Sequence, residues 1–249
     1  MNWINIIGLA IVLLGAVFIG IFSVRHRAEP YRGLRFIPAY QSLRRAIDLA
    51  VENGSRVQIS LGSADLLSTR NASAFVGLTL LQKITRQSSV SDRPPVATSG
   101  NSSLAILSQD TLRTSYRDVN AEDEYEPNQG RLTGLTPFSY AVGVMPVIRD
   151  EQVSANILMG DFGPEAAYVA DAVERTGSFM VASSNDLAAQ AIFYASAQEP
   201  LVGEELFAGG AYLESSPLHA ASLHAQDVLR WGIIAALVIG SILKLVGIL

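Results

Sequence analysis

The sequence predicts an α/β protein with a mixed, partly parallel sheet flanked by helices, set between an N-terminal and a C-terminal transmembrane helix. Three observations carry that expectation. Residues 3–24 and 231–249 are apolar runs long enough to cross a hydrocarbon core of about 30 Å as helices. Between them, strand-like segments alternate with amphipathic helical ones, the pattern of helices packed on a sheet. The whole chain is 49% hydrophobic and 16% charged, more apolar than an ordinary soluble domain, and the surplus sits at the two ends.

The first run, Trp3 to Val24, has no charge, and Asn5 and Ser23 are its clearly polar side chains. A cleavable signal peptide would need a basic start, a shorter apolar core and a small-residue cleavage site, so the run reads as a retained anchor. Arg25, Arg27, Arg32 and Arg35 flank it, followed by Arg44 and Arg45, with Glu29 the only acid in that stretch. The positive-inside rule then puts both termini outside and residues 25–230 in the cytoplasm, a two-pass arrangement in the cell (inner) membrane. The second run, Trp231 to Leu249, carries Lys244 near its end, where the long stem can reach the interface. This layout leaves everything folded between the two spans.

Within residues 25–230 the elements follow in order. Ile37, Tyr40, Leu43, Ile47, Ala50 and Val51 form one helical stripe, with Pro38 at its start and Gly54 past its end. "RVQISLG" alternates as a strand, "NASAFVGLTLLQKITRQ" is a helix apolar on nearly all sides, and "PPVATSG" is a short strand. "NSSLAILSQDTLRTSYRDV" is a helix capped by Asn101 or Ser102. Residues 118–137 are acidic and rich in turn formers, an excursion or sub-boundary. "SYAVGVMPVI" and "VSANILMG" around "RDEQ" read as a β-hairpin, and "GPEAAYVADAVERTG" as a helix. "SFMVASS" is a strand, "NDLAAQAIFYASA" and "VGEELFAGGAYLE" are helices, and a last helix from Pro217 runs toward the second span. No internal repeat is visible.

Strand ends that lead into helices are where α/β sheets hold ligands, because free helix N–H groups and the helix dipole attract anions there. "VATSGNSS" (97–103) and "VASSNDLA" (181–188) supply Ser99, Gly100, Asn101, Ser102, Ser183, Ser184 and Asn185 as candidate ligand-binding residues, and "LMGDFGPE" and "SLGSAD" end in the same style. Capping and tight turns demand the same residue types without a ligand. No phosphate-loop or dinucleotide fingerprint and no nucleophile elbow is present. The histidines are His26, His219 and His224, the last two about 140° apart on a helix, and there is no cysteine, so no metal or other cofactor is expected. The acidic stretch starts like a calcium loop but has Asp123 where glycine is needed and Gln129 where the bidentate glutamate belongs. A net charge of −5, with the arginines clustered beside the membrane, argues against nucleic acid. A hydrolase using a loop serine with Asp65, Asp161 or Asp186 would lack a general base.

The spans themselves are more informative. Gly232, Ala236 and Gly240 recur every fourth residue, and Ala16 and Gly20 share that spacing, a ridge that lets another helix come close. It would receive either the protein's own first helix or a neighbour's. The arrangement, with stretches such as "PVATSGNSSLAILSQDTLRTSYRD" and "PLVGEELFAGGAYLE", resembles a family of uncharacterised two-span membrane proteins from prokaryotes. That resemblance implies a layout and no activity. The expectation is a non-enzymatic, membrane-anchored scaffold or structural subunit, homo-oligomeric in the bilayer and open to other membrane proteins. The alternative is a membrane-tethered domain that senses a ligand or nucleotide.

Overall fold

Residues 3–26, 34–66, 71–89, 91–214 and 217–245 are described by a computed structural model. Two units emerge, one formed by residues 1–35 with 214–249 and the other by residues 36–213. The elements are α1 (Trp3–His26), α2 (Pro38–Glu52), β1 (Arg56–Gly62), α3 (Ala72–Ser88), β2 (Val96–Ser99), α4 (Ser102–Asp118), β3 (Gly130–Leu132), α5 (Pro137–Asp150), β4 (Val153–Asp161), α6 (Ala166–Thr176), β5 (Phe179–Ser184), α7 (Leu187–Ser196), β6 (Glu199–Pro200), α8 (Gly209–Glu214) and α9 (Pro217–Leu245).

The first unit is a pair of helices. Asn5–Val24 and Leu218–Leu245 are each long and apolar enough to cross a membrane. The pair is antiparallel, with Gly15 of α1 beside Leu229 of α9 and the Phe22 and His224 rings 6.0 Å apart. α9 runs unbroken from Pro217, so Arg230 lies inside a continuous helix and no backbone break marks where the expected span begins. Arg27, Arg32 and residues 246–249 lie outside the described residues, as does the side chain of Arg25.

In the second unit six strands run in the order β3-β2-β1-β4-β5-β6, and every pairing is parallel. The expected α/β sheet is present in its wholly parallel form. Helices α2, α3 and α4 pack together on one side, while α5, α6 and α7 pack in succession and enclose a core of Tyr140, Val144, Leu158, Phe162, Val169, Met180 and Phe193. Burial on both faces explains why β1 is buried from Val57 to Gly62 despite its alternating sequence. Gln58, Ser60 and Thr98 form a buried hydrogen-bonded patch on neighbouring strands, with contacts of 3.1 to 3.4 Å.

The β-hairpin expected around residues 139–160 is absent. Residues 137–150 form α5, and β4 follows alone. Thr136 and Ser139 make a capping box, Pro137 occupies the first turn, and Tyr140, Ala141, Val144, Val147 and Ile148 are buried at helical spacing. The Val and Ile content suggested a strand, but a parallel sheet needs a crossover between β3 and β4, and α5 supplies it. The acidic excursion contains two single 3₁₀ turns and β3, which pairs with β2. The "VGEELFAGGAYLE" helix is divided into a 3₁₀ segment, Gly203–Ala208, and α8.

Candidate functional site

Chain order reverses between β1 and β4, so the switch point of this sheet lies at the carboxyl ends of those two strands. The order is that of doubly wound dinucleotide-binding sheets, in which the ligand crevice opens there because the following loops run to opposite sides. β1 ends at Gly62 and β4 at Asp161, and the two are register partners beyond an irregularity in the ladder. Gly62 has φ +73°, and a Cβ there would stand 2.2 Å from the Asp161 carbonyl oxygen. A Cβ on Gly160 would stand 1.9 Å from the Leu61 carbonyl oxygen. Only glycine lets the two strand ends approach this closely.

Further bonds draw the edge shut. Ser63 N donates to Asp161 O at 2.9 Å, Gly100 N to Gly62 O at 2.8 Å, and Thr133 N to Ser99 O at 3.1 Å. Beneath them the fully buried Tyr140 accepts from Gly62 N at 3.2 Å. Burial raises the Tyr140 pKa, and the hydrogen bonds to Ser60, Thr98 and Gly62 only partly oppose that.

Most of the strand-end residues that the sequence nominates as ligand contacts have partners within the chain. Ser99 Oγ donates to Arg131 O at 3.3 Å, and Gly100 is engaged through its N–H. Asn101 Oδ1 caps α4 by accepting from Ser103 N and Leu104 N at 2.9 and 3.4 Å. Ser183 Oγ donates to Leu201 O at 2.8 Å. Ser184 Oγ accepts from Phe162 N at 3.0 Å and donates to Phe162 O at 2.9 Å, tying β5 to the end of β4. Ser102 is exposed in the first turn of α4, and Asn185 is half-buried between β5 and α7.

Side-chain oxygens fill the N-termini of α4 and α7 along this edge, whereas the N-cap residues of α3 and α6 make no side-chain cap bond. Asp186 Oδ1 accepts from Ala188 N and Ala189 N at 2.9 and 3.2 Å, capping α7. The nearly buried Glu165, 3% exposed, accepts from Gly163 N at 2.8 Å ahead of α6. A phosphate seeking those N–H groups would compete with a carboxylate already seated. Residues 36–213 carry 20 Asp and Glu against 12 Lys and Arg, a formal charge of −8 that adds to the repulsion. Tyr140 and Glu165 were not among the sequence-nominated residues. The Thr136-Pro137 helix start and the "GPE" turn were the available signals, but neither tells which way a side chain turns. Among the described residues no group of three or more His, Asp and Glu could hold a metal ion.

A second constellation lies where the chain enters and leaves this unit. Tyr40 donates its hydroxyl to Glu205 O, and its ring stacks on Tyr212 with centroids 5.1 Å apart. Arg44 donates to the Tyr212 and Leu213 carbonyls, and Lys83 Nζ to Gly210 O at 3.2 Å. Arg44 on the last carbonyls of α8 satisfies orphan acceptors, while Lys83 reaches the carbonyl of the second residue of that helix. Burial pushes the Tyr40 hydroxyl far above its usual range, with Glu205 and Tyr212 adding to the effect. The start of α2 and the end of α8, residues 38–44 and 210–213, are thus bound side by side.

The class so defined is a doubly wound parallel α/β domain inserted between two helices apolar and long enough to cross a membrane. The chain belongs to the family described as Domain of unknown function (DUF6754), which matches residues 1–249. No curated protein and no solved structure matches it.

Proposed function

We propose that this protein is a non-enzymatic scaffold, a structural subunit of an oligomeric assembly in the cell's inner membrane, anchored by α1 and α9 with its α/β domain on the cytoplasmic side. The observation that carries this reading is the underfilled ridge on α9. By helical rotation Gly232, Ala236 and Gly240 lie within about 60° of the line of Leu229, which meets Gly15 of α1. A Cβ added at Gly232 or Gly240 would nevertheless meet no described atom within 4 Å, and Gly232 and Ala236 are exposed. Ala16 and Gly20 of α1 are exposed too, and a Cβ at Gly20 also meets nothing. Small residues with unfilled space beside them suit the close approach of a neighbour's helix. The arginine flank, including Arg35, supports the orientation by the positive-inside rule. Native mass spectrometry in mild detergent tests the reading. Oligomers that shift to smaller species in Gly232→Leu and Gly240→Leu support it, and a monomer in every detergent overturns it.

A second reading, a ligand- or nucleotide-sensing domain, draws support from the strand reversal at β1 and β4. Thermal-shift screening of the full chain with nucleotides and sugar phosphates separates the two, because scaffolding requires no specific shift.

A further inference from the structure

At the amino ends of β4 and β5, opposite the closed edge, a groove of about 370 Å³ lies along the outer part of α2. Its apolar wall is Ala46, Leu49 and Phe179, and its polar rim is Arg45, Asn53 and Ser154. Leu49 is 48% exposed, so a large aliphatic side chain stands open to solvent in the groove. The volume falls at the small end of the range for small-molecule sites, which combine apolar walls with a few polar groups that fix orientation.

The polar groups around it differ in how they are engaged. Ser154 Oγ bonds Ser55 Oγ at 2.6 Å, and Ser42, which also lines the groove, donates to Glu199 Oε1 at 2.7 Å. Arg45 has no hydrogen bond or ion pair among the described residues, and the Asn53 side-chain amide has none either. Its sequence neighbour Arg44 is engaged with the α8 carbonyls. Arg45 is exposed, so its guanidinium stands at the mouth of the groove with its donors open to an incoming anion.

We propose that this groove binds a small, water-soluble amphipathic monocarboxylate. Arg45 holds the carboxylate in a forked, charge-assisted contact, Asn53 donates beside it, and a short hydrocarbon chain covers Ala46, Leu49 and Phe179. One guanidinium neutralises one charge. A phosphate dianion would bring a second negative charge toward Asp48 and Glu52, which are exposed on the same helix, so the carboxylate fits better. The size of the groove suits a chain of about six carbons rather than a whole lipid.

The probe is 6,6,6-trifluorohexanoate, followed by fluorine NMR with the full chain in nanodiscs of zwitterionic lipid and empty discs as the blank. Saturable binding above the blank is expected, with 6,6,6-trifluorohexanol binding about tenfold more weakly. Arg45→Gln should weaken the carboxylate about tenfold while leaving the alcohol unchanged, and Arg45→Lys should recover part of the loss. Ala46→Trp should fill the groove and abolish binding of both. Circular-dichroism melts of each variant show whether it remains folded. Equal affinity for acid and alcohol, no response to Arg45→Gln, unchanged binding in a folded Ala46→Trp protein, or no binding above empty discs would each overturn the assignment. None of these outcomes bears on oligomeric state, so the scaffold reading stands or falls separately.

Discussion

The two ends of the parallel sheet treat their polar residues in opposite ways. At the carboxyl end, serines, asparagine and acids are turned inward onto strand ends and helix N-termini, and glycines bring the backbones to contact distance. At the amino end, α2 leaves an apolar hollow with an unpaired arginine beside it. Strand order alone would assign function to the first. The difference teaches that a ligand site needs polar groups still seeking partners, and that the same residue types lose this capacity once they are capping helices.

The largest expected effect breaks the closed end. Gly160→Ala would drive a methyl group into the Leu61 carbonyl, and the strand ends would have to part. A loss of about 3 kcal/mol or more is expected by urea unfolding. A loss below about 1 kcal/mol would mean that the edge is loose enough to open for a ligand.

Alkaline titration comes next. Tyr40 and Tyr140 have raised pKa values, chiefly through burial, so their contribution to stability is fully present below the unfolded tyrosine pKa of about 10. Above that pH the unfolded chain releases phenolic protons that the folded chain keeps, and stability falls as pH rises toward the folded values. Each such group contributes a slope of up to about 1.4 kcal/mol per pH unit. Denaturant midpoints measured from pH 9 to 11.5 should fall more steeply than in Tyr140→Phe, and parallel curves would remove Tyr140 from the closed edge.

The cap of α7 contributes a smaller effect. Asp186→Ala removes the two cap bonds of α7 and should cost about 1 kcal/mol. It should not create phosphate binding, since Asp161 and Glu165 remain at the same end. A phosphate-dependent thermal shift in that variant would indicate that the edge is an anion site masked by one side chain. Smallest of all, Arg45→Gln at the open end should change unfolding stability by less than about 0.5 kcal/mol, because the exposed guanidinium has no partner to lose.

Much of this architecture was legible along the chain. Hydrophobic period, Pro38 at a helix start, Asn101 at a cap and Gly177 past a helix end located α2, α4 and α6 because those signals act within one or two turns. The length and lack of charge of residues 3–24 likewise sufficed for an apolar helix. Three features were not legible. In α5, Val and Ile favour β structure locally, while the need for a crossover between parallel strands is a property of the sheet. β3 and β6, of three and two residues, are too short to show a period and exist through pairing with β2 and β5.

By itself, then, the sequence determined the α/β class, most element positions, two apolar helices and the list of polar strand-end residues, all of which follow from local propensity and composition. Tertiary structure alone decided the strand order, the burial of Gln58 and Ser60, the use of Ser183, Ser184 and Asp186 as internal ties, and the separation of the neighbours Arg44 and Arg45 into a clamp and an open charge. The physical reason is that a polar side chain's role depends on whether its hydrogen bonds are already satisfied, and the partners that satisfy them come from elsewhere in the chain.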